Sequence, residues 1–367
     1  MNTPGNNVTK IAIVFPKDSE AIFNINSKRP FGGATVQPYL LAKALWHVPN
    51  VCIYSFIADY PTIDFPDHAE FRLVKTFSEN DSVIKKLIRF HQKITAMKPD
   101  IILQRGLSPF SCLLALYCKM KKIKFVYMLA SDVESDGRYQ RSNRPCPYFR
   151  LLKYAHLLIA QNRFQQERLS TKYRLSSEIL YSGYEIRPDQ PHKNDTVLWV
   201  GRRDPMKHAE EFIELARRNP ARRFILICPP GKDETHNEQI KALARKTANV
   251  QLLEFVSFNV IEQYYRDARV LVNTSDYEGF PQTFVQAAKN WTPILSKNVD
   301  PEGFITSYQC GYVANGDLQT LNDNLQKLFS DNSLYTTLSA NAHHYAEKNH
   351  DINNVVTRLF TLLHVND

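Results

Sequence analysis

The sequence predicts an α/β protein made of two successive domains, each a parallel sheet wrapped by helices. Short apolar, β-rich runs alternate with amphipathic helical runs along most of the chain, the pattern of βαβ units. The alternation pauses once, at the polar stretch Arg187 to Asp195 with its two prolines, and then starts again. At 367 residues, 43% of them hydrophobic and 23% charged, the chain is long enough for two cores of ordinary size. The expected domains are residues 1–187 and 188–350, facing each other across a cleft. Residues 351–367 are expected to form a closing helix that packs back on the first domain.

Lys10 to Phe15 is a continuous apolar run and reads as a buried parallel strand. A loop with Pro30, Gly32 and Gly33 follows, then helical periodicity over Ala34 to Trp46. Strand, glycine loop and helix let a ligand approach backbone at a helix start. The G-x-G-x-x-G spacing is absent, so the glycine pair fits an ordinary tight turn equally well. Val51 to Phe56, Ile101 to Gln104 and Phe125 to Leu129 read as strands. Val83 to Met97 and Pro109 to Lys121 read as helices, the first with a basic face of Lys85, Lys86, Arg89 and Lys93. In the polar loop Ala130 to Arg138, the acids Asp132, Glu134 and Asp136 alternate; this pattern is more often solvated than metal-binding. Arg138, Arg141 and Arg144 are close enough in sequence to neutralise them. The strand Leu157 to Gln161, the helix Phe164 to Tyr173 and the strand Glu178 to Ser182 complete the first half.

The second series opens with the strand Thr196 to Val200. Strands at Phe224 to Cys228, Val250 to Phe255, Val270 to Thr274 and Pro293 to Ser296 alternate with helices at His208 to Arg218, Glu234 to Thr247, Val260 to Ala268 and Pro281 to Lys289. Leu318 to Phe329, Leu334 to Lys348 and Ile352 to His364 read as closing helices.

The net charge of +9 is unevenly spread. Residues 1–190 hold 27 Lys and Arg against 16 Asp and Glu, whereas residues 191–367 hold 19 against 21. A basic first half suits an anionic surface, either phospholipid head groups or a pyrophosphate-linked acceptor. No nucleic-acid module is present, so nucleic acid is not an expected partner. No apolar run approaches the roughly 20 residues that span a bilayer, and Met1 to Lys10 lacks a signal-peptide core. The expected location is cytoplasmic, peripheral at the inner face of the cell membrane. Six scattered cysteines without a Cys-x-x-Cys pair read as buried small hydrophobes.

Chemistry is expected at loops following strands of the second half. Gly201 to Lys207 places Arg202 and Lys207 on one loop, two cations that suit a pyrophosphate. Pro229 to Lys232 (Pro-Pro-Gly-Lys) reads as a turn. Asp276 to Gln286 joins a strand end, an acidic loop and a helix start, where a phosphate and sugar hydroxyls can be gripped together.

These two stretches, Gly201-Arg202-Arg203-Asp204-Pro205-Met206-Lys207 and, about 70 residues later, Glu278 to Gln286, resemble family 4 of the retaining glycosyltransferases of GT-B fold. Gly32-Gly33, Ala130 to Asp136, Leu158 to Asn162 and Asp300 to Gly303 are similar to further parts of that family. The resemblance implies two Rossmann-like domains, acceptor-binding then nucleotide-sugar-binding, and transfer of a hexose from a UDP- or GDP-sugar to a lipid-linked or oligosaccharide acceptor. It implies that Arg202 and Lys207 hold the donor diphosphate and that Glu278 contacts the sugar. Gly279, Phe280 and Pro281 orient the sugar through backbone, while Gly32, Gly33 and Gly201 line the donor. No metal or other cofactor is required on this reading. Gln286 stands where the family has a ribose-binding Glu, and Asp132 stands where many members have a nearby His on the acceptor side. Epimerisation of a nucleotide sugar and non-catalytic binding of one are the alternatives.

Overall fold

The computed structural model describes residues 8–24, 31–60, 71–78, 80–139 and 142–365. Pro30, Arg141 and most of Met1 to Lys10 lie outside the described residues. The chain divides into two units: residues 1–183 with 352–367, and residues 184–351.

The first unit runs β1 (Thr9–Val14), α1 (Glu20–Phe23), α2 (Gly33–Trp46), β2 (Val51–Ala58), β3 (Leu73–Phe77), α3 (Val83–Met97), β4 (Ile101–Arg105), α4 (Pro109–Lys121), β5 (Lys124–Met128), β6 (Leu157–Ala160), α5 (Arg163–Tyr173) and β7 (Glu178–Ile179). Its strands form one parallel sheet in the order β3-β2-β1-β4-β5-β6-β7. The period-2 rule explains the two cores. Along β1, Ala12 and Val14 enter the layer with Phe90, Phe110 and Phe125, whereas Ile11 and Ile13 enter the opposite layer. The opposite layer is completed by the final helix of the chain, through Val355, Val356, Leu359, Leu362 and Leu363.

The second unit runs β8 (Thr196–Val200), α6 (Ala209–Arg218), β9 (Arg223–Ile227), α7 (Glu234–Arg245), β10 (Val250–Leu253), α8 (Phe258–Asp267), β11 (Val270–Asn273), α9 (Gln282–Lys289), β12 (Ile294–Ser296), α10 (Phe304–Ser307), β13 (Gly311–Val313), α11 (Leu318–Ser330) and α12 (Asn332–His350). The last helix, α13 (Ile352–Val365), belongs to the first unit. All pairings are again parallel, in the order β10-β9-β8-β11-β12-β13.

Several elements differ from the sequence reading. The loop after β5 contains a 3-10 turn, Asp132–Asp136, and β7 is only two residues long. Strands β3 and β13 were not expected; both are short edge strands, and an edge strand carries a weaker apolar signal than a central one. The polar stretch 187–195 is not free chain. Lys193 Nζ donates to the carbonyl of Asn290 and to Thr292 Oγ1, both at 2.6 Å, and Asp189 pairs with Arg266 at 2.9 Å. Prolines and charges in sequence cannot distinguish a hinge from a strap fastened by such bonds. All six cysteines are buried and unpaired. No helix among the described residues is long and apolar enough to cross a membrane.

Candidate functional site

In an open parallel sheet the strands on either side of the point where winding reverses leave a crevice at their carboxyl ends. In the second unit those strands are β8 and β11. The loop after β8 is Gly201 to Lys207, and the loop after β11 is Thr274 to Pro281. Both chemistry-bearing stretches therefore leave adjacent strands at the switch point.

Hydrogen bonds join the two loops. Trp199 Nε1, on β8, donates to Thr274 Oγ1 at 3.0 Å, and Thr274 Oγ1 donates to the Lys207 carbonyl at 2.7 Å. The Asp276 N–H donates to the Met206 carbonyl at 3.0 Å. Lys207 Nζ contacts Glu278 Oε1 directly, and Ser275 Oγ donates to the same oxygen at 3.0 Å. Both partners remain partly open to solvent, Lys207 at 23% and Glu278 at 19%, so an entering ligand can reach them. His208 adds a further bridge, with Nε2 2.7 Å from Asp276 and Nδ1 3.0 Å from Glu210 at the start of α6.

The adjacent arginines separate. Arg202 is exposed, and among the described residues its guanidinium has no ion-pair partner. Arg203 is fully buried and pairs with Glu254 at 2.5 Å, which holds the Glu254 carboxyl below its ordinary range. The Pro229 to Lys232 turn braces this arginine: the Arg203 N–H donates to the Pro229 carbonyl at 2.9 Å. A Cβ on Gly231 would stand 1.8 Å from the Arg203 carbonyl oxygen, so only glycine fits. Gly201 faces the ring of Trp199, 2.8 Å from where its Cβ would stand; the chain itself fills the space beside it.

Helix α9 starts at the end of the acidic loop, with Pro281 in the N-cap position and no side-chain cap there. Its first turn keeps the partial positive charge of a helix start. Gly279 and Phe280 are half-buried beside it; the Phe280 ring stacks on Phe304, centroids 5.9 Å apart, and meets His350 at a tilt, 5.6 Å away. Gln286, one turn further along, donates to the Gln282 carbonyl at 3.4 Å and is half-buried.

In the first unit Gly32 is the N-cap of α2, its carbonyl accepting from Thr35 and Val36, and Gly33 is the first helical residue. Among the described residues, no atom lies within 4 Å of where a Cβ on Gly32 would stand. Asp132 is buried and accepts from Asn162 and Gln165, at 3.1 and 2.8 Å. Glu134 is buried, accepts from Tyr127 and from the Ala130 N–H, and is pushed upward by burial. Asp136 meets Arg168 and Lys172 on α5, at 2.9 and 3.0 Å. These cations come from a helix distant in sequence; Arg138 instead donates to Asn143. The three acids thus brace a loop, and no group of three or more metal-ligating side chains occurs among the described residues.

A cavity of about 630 Å³ in the first unit is lined by Thr9, Ile101 and Lys124. It opens at the amino ends of β1, β4 and β5, the edge opposite to the one where parallel sheets place ligands. The chemistry is therefore assigned to the loops, not to this cavity.

Residues 185–345 match the family model for glycosyl transferases group 1. Structures similar to the whole chain include sucrose-phosphate synthase from Thermosynechococcus elongatus, 15% identical, covering 97% of this chain and 98% of that one, with a TM-score of 0.75. Anabaena HepE, solved with UDP, is 16% identical over 97% and 100%, with a TM-score of 0.72. A glycosyltransferase from Rickettsia africae is 13% identical over 98% and 99%, with a TM-score of 0.74. A search of curated proteins finds no match. The fold is GT-B, two Rossmann-like units.

Within the matched stretch the structure adds residues that no sequence motif marks: His208, Thr274, Ser275 and the buried Arg203. The repeated basic residues at 202 and 203 were a signal, but which of them faces inward depends on tertiary packing. For the hydroxyls no sequence signal was available, since Ser and Thr are common in any loop.

Proposed function

We propose that the chain is a retaining hexosyltransferase of family 4 type. It would move a sugar from a UDP- or GDP-sugar to a lipid-linked or polysaccharide acceptor in cell-surface glycan synthesis. The observation that carries this reading is the Lys207–Glu278 pair at the β8–β11 switch point, inside the matched domain. On donor entry the pair opens. Lys207 and the exposed Arg202 take the diphosphate, and the start of α9 adds its partial positive charge. Glu278 accepts from a sugar hydroxyl, and backbone at Gly279, Phe280 and Pro281 orients the ring. Two cations and a helix start neutralise the departing diphosphate, so the reaction needs no metal. The acceptor hydroxyl approaches from the leaving-group face, and a donor phosphate oxygen takes its proton. Gln286 holds the ribose with neutral hydrogen bonds, weaker than those of a carboxylate. Gly201, packed against Trp199, shapes the start of the loop that carries the two cations, and in the first unit Asp132 serves the acceptor side by holding the 130–138 loop in shape.

Anabaena HepE has been solved with UDP and with UDP-glucose, which supports a UDP-sugar donor. Incubation with UDP-, GDP- and ADP-sugars, without and with membrane extract, tests the reading. Transfer that depends on the extract is expected. Epimerisation without acceptor would replace it, and tight binding with neither transfer nor hydrolysis would favour the non-catalytic binding subunit that Gln286 leaves open.

The basic first half is proposed to hold the protein at the cytoplasmic face of the membrane. On α3, Lys85 and Arg89 share Asp81 at 3.1 and 3.4 Å, so part of the expected charge is already neutralised. Ile84 and Ile88 on the same helix are 72% and 55% exposed, which suits a helix lying at a lipid interface. Replacing Lys86 and Lys93 by Glu is expected to weaken binding to phosphatidylserine vesicles roughly tenfold or more, and high salt to do the same. Sedimentation with vesicles checks this; unchanged binding removes the α3 face from the proposal.

A further inference from the structure

His208 follows Lys207 directly, at a point where the backbone is left-handed, with φ of 47°. A residue with a Cβ pays roughly 1–2 kcal/mol for that conformation, which glycine adopts freely. Its ring faces a carboxylate on each side. Nε2 lies 2.7 Å from Asp276 Oδ2, on the acidic loop, and Nδ1 lies 3.0 Å from Glu210 Oε1, on α6. A neutral imidazole carries one N–H and can donate to only one carboxylate; the other nitrogen then directs a lone pair at the second. Two carboxylates therefore call for the imidazolium. On the same turn Arg202 is exposed and Asp204 is half-buried; the next charged groups are paired. Lys207 pairs with Glu278, and Glu211, next along α6, pairs with Lys297 at 2.6 Å.

We propose that His208 is a positioning residue which, as imidazolium, latches the acidic loop to the turn that carries Lys207 and thereby makes donor binding depend on pH. This rests on the donor site proposed above. The latch fixes Asp276, two residues before Glu278, against the turn that ends in Lys207. The two groups of the donor grip are thus held in register by a bond that contains neither of them. The hydrogen bond to Asp276 raises the His208 pKa above its ordinary value; burial opposes it, and the bond to Glu210 adds to the rise. A raised folded pKa means that the latch is complete below the unfolded value, about 6.5, and is lost as pH rises through the folded value. Donor affinity is therefore highest on the acid side. UDP-glucose is a suitable probe, because its diphosphate diester has no group that titrates near neutrality.

Imidazole NMR titration of 15N-histidine-labelled protein tests the latch, with His208→Gln assigning the signal among the 11 histidines. UDP-glucose affinity measured by calorimetry from acid to mildly alkaline pH tests the consequence. His208 is expected to titrate above about 6.5 and to move down in Asp276→Asn. Wild-type affinity is expected to fall about fivefold to tenfold across the range, the scale of one charge-assisted pair. His208→Gly, which relieves the backbone, is expected to keep the thermal midpoint while binding at the wild type's alkaline level at every pH. An ordinary or lowered His208 pKa overturns the latch. Unchanged pH dependence in His208→Gly overturns its link to the donor. Failure of the wild type to bind any nucleotide sugar overturns the donor reading and the pH dependence together, while the NMR titration separately reports on the latch.

Discussion

Lys207→Ala is expected to lower sugar transfer about 100- to 1000-fold, the scale seen when one group facing a developing charge is removed. The diphosphate gains charge as the glycosidic bond breaks, so the loss should fall on kcat more than on the donor KM. The fold should survive. The tie from Thr274 to position 207 uses the backbone carbonyl, which alanine retains. The lost ion pair is partly exposed, and such pairs contribute only about 0–1 kcal/mol. Steady-state kinetics with a matched melting curve checks both statements. Near-normal turnover would remove Lys207 from the diphosphate. A large fall in the midpoint would show that the pair is structural first.

Gly231→Ala should show the opposite pattern, a large loss of stability from a residue outside the Lys207–Glu278 grip. Its added methyl would stand 1.8 Å from the Arg203 carbonyl oxygen and 2.8 Å from the carbonyl carbon. Both are backbone atoms, so neither can rotate away. Retreat of the 229–232 turn would stretch the bond from the Arg203 N–H to Pro229 and disturb the bonds between Gly231 and Asn237. The expected cost is about 2–4 kcal/mol, at the upper end of overpacking. For a unit of this size that corresponds to a midpoint roughly 5–15 °C lower. Thermal denaturation followed by tryptophan fluorescence reads it, since Trp199 is buried in the same sheet. An unshifted midpoint would mean that the close approach is relaxed in solution.

Most of the fold was legible because buried parallel strands are continuous apolar runs. The strand Thr196 to Val200 and the helix Val83 to Met97 have the same bounds in sequence pattern and in structure. Legibility failed where burial is partial. β3 carries a half-exposed Lys75 in mid-strand, and β13 has three residues at a sheet edge. Alternating charges in the loop after β5 predict solvated acids; it is a 3-10 turn whose carboxylates are held by Asn162, Tyr127, Arg168 and Lys172. Those partners lie between 7 and 36 residues from the acids they hold, so no local pattern reveals them.

The candidate site divides in the same way. Sequence by itself determined the α/β class, the two-fold series of βα units and the residue types at positions 202, 207 and 278, because periodicity and local chemistry are written along the chain. Tertiary structure alone decided that Lys207 meets Glu278, that Arg202 faces solvent while Arg203 is buried, and that His208 stands between Asp276 and Glu210. The Lys207–Glu278 contact joins positions 71 residues apart. Such a contact follows from strand order, which brings β8 beside β11, and strand order is set by how whole layers bury their apolar faces.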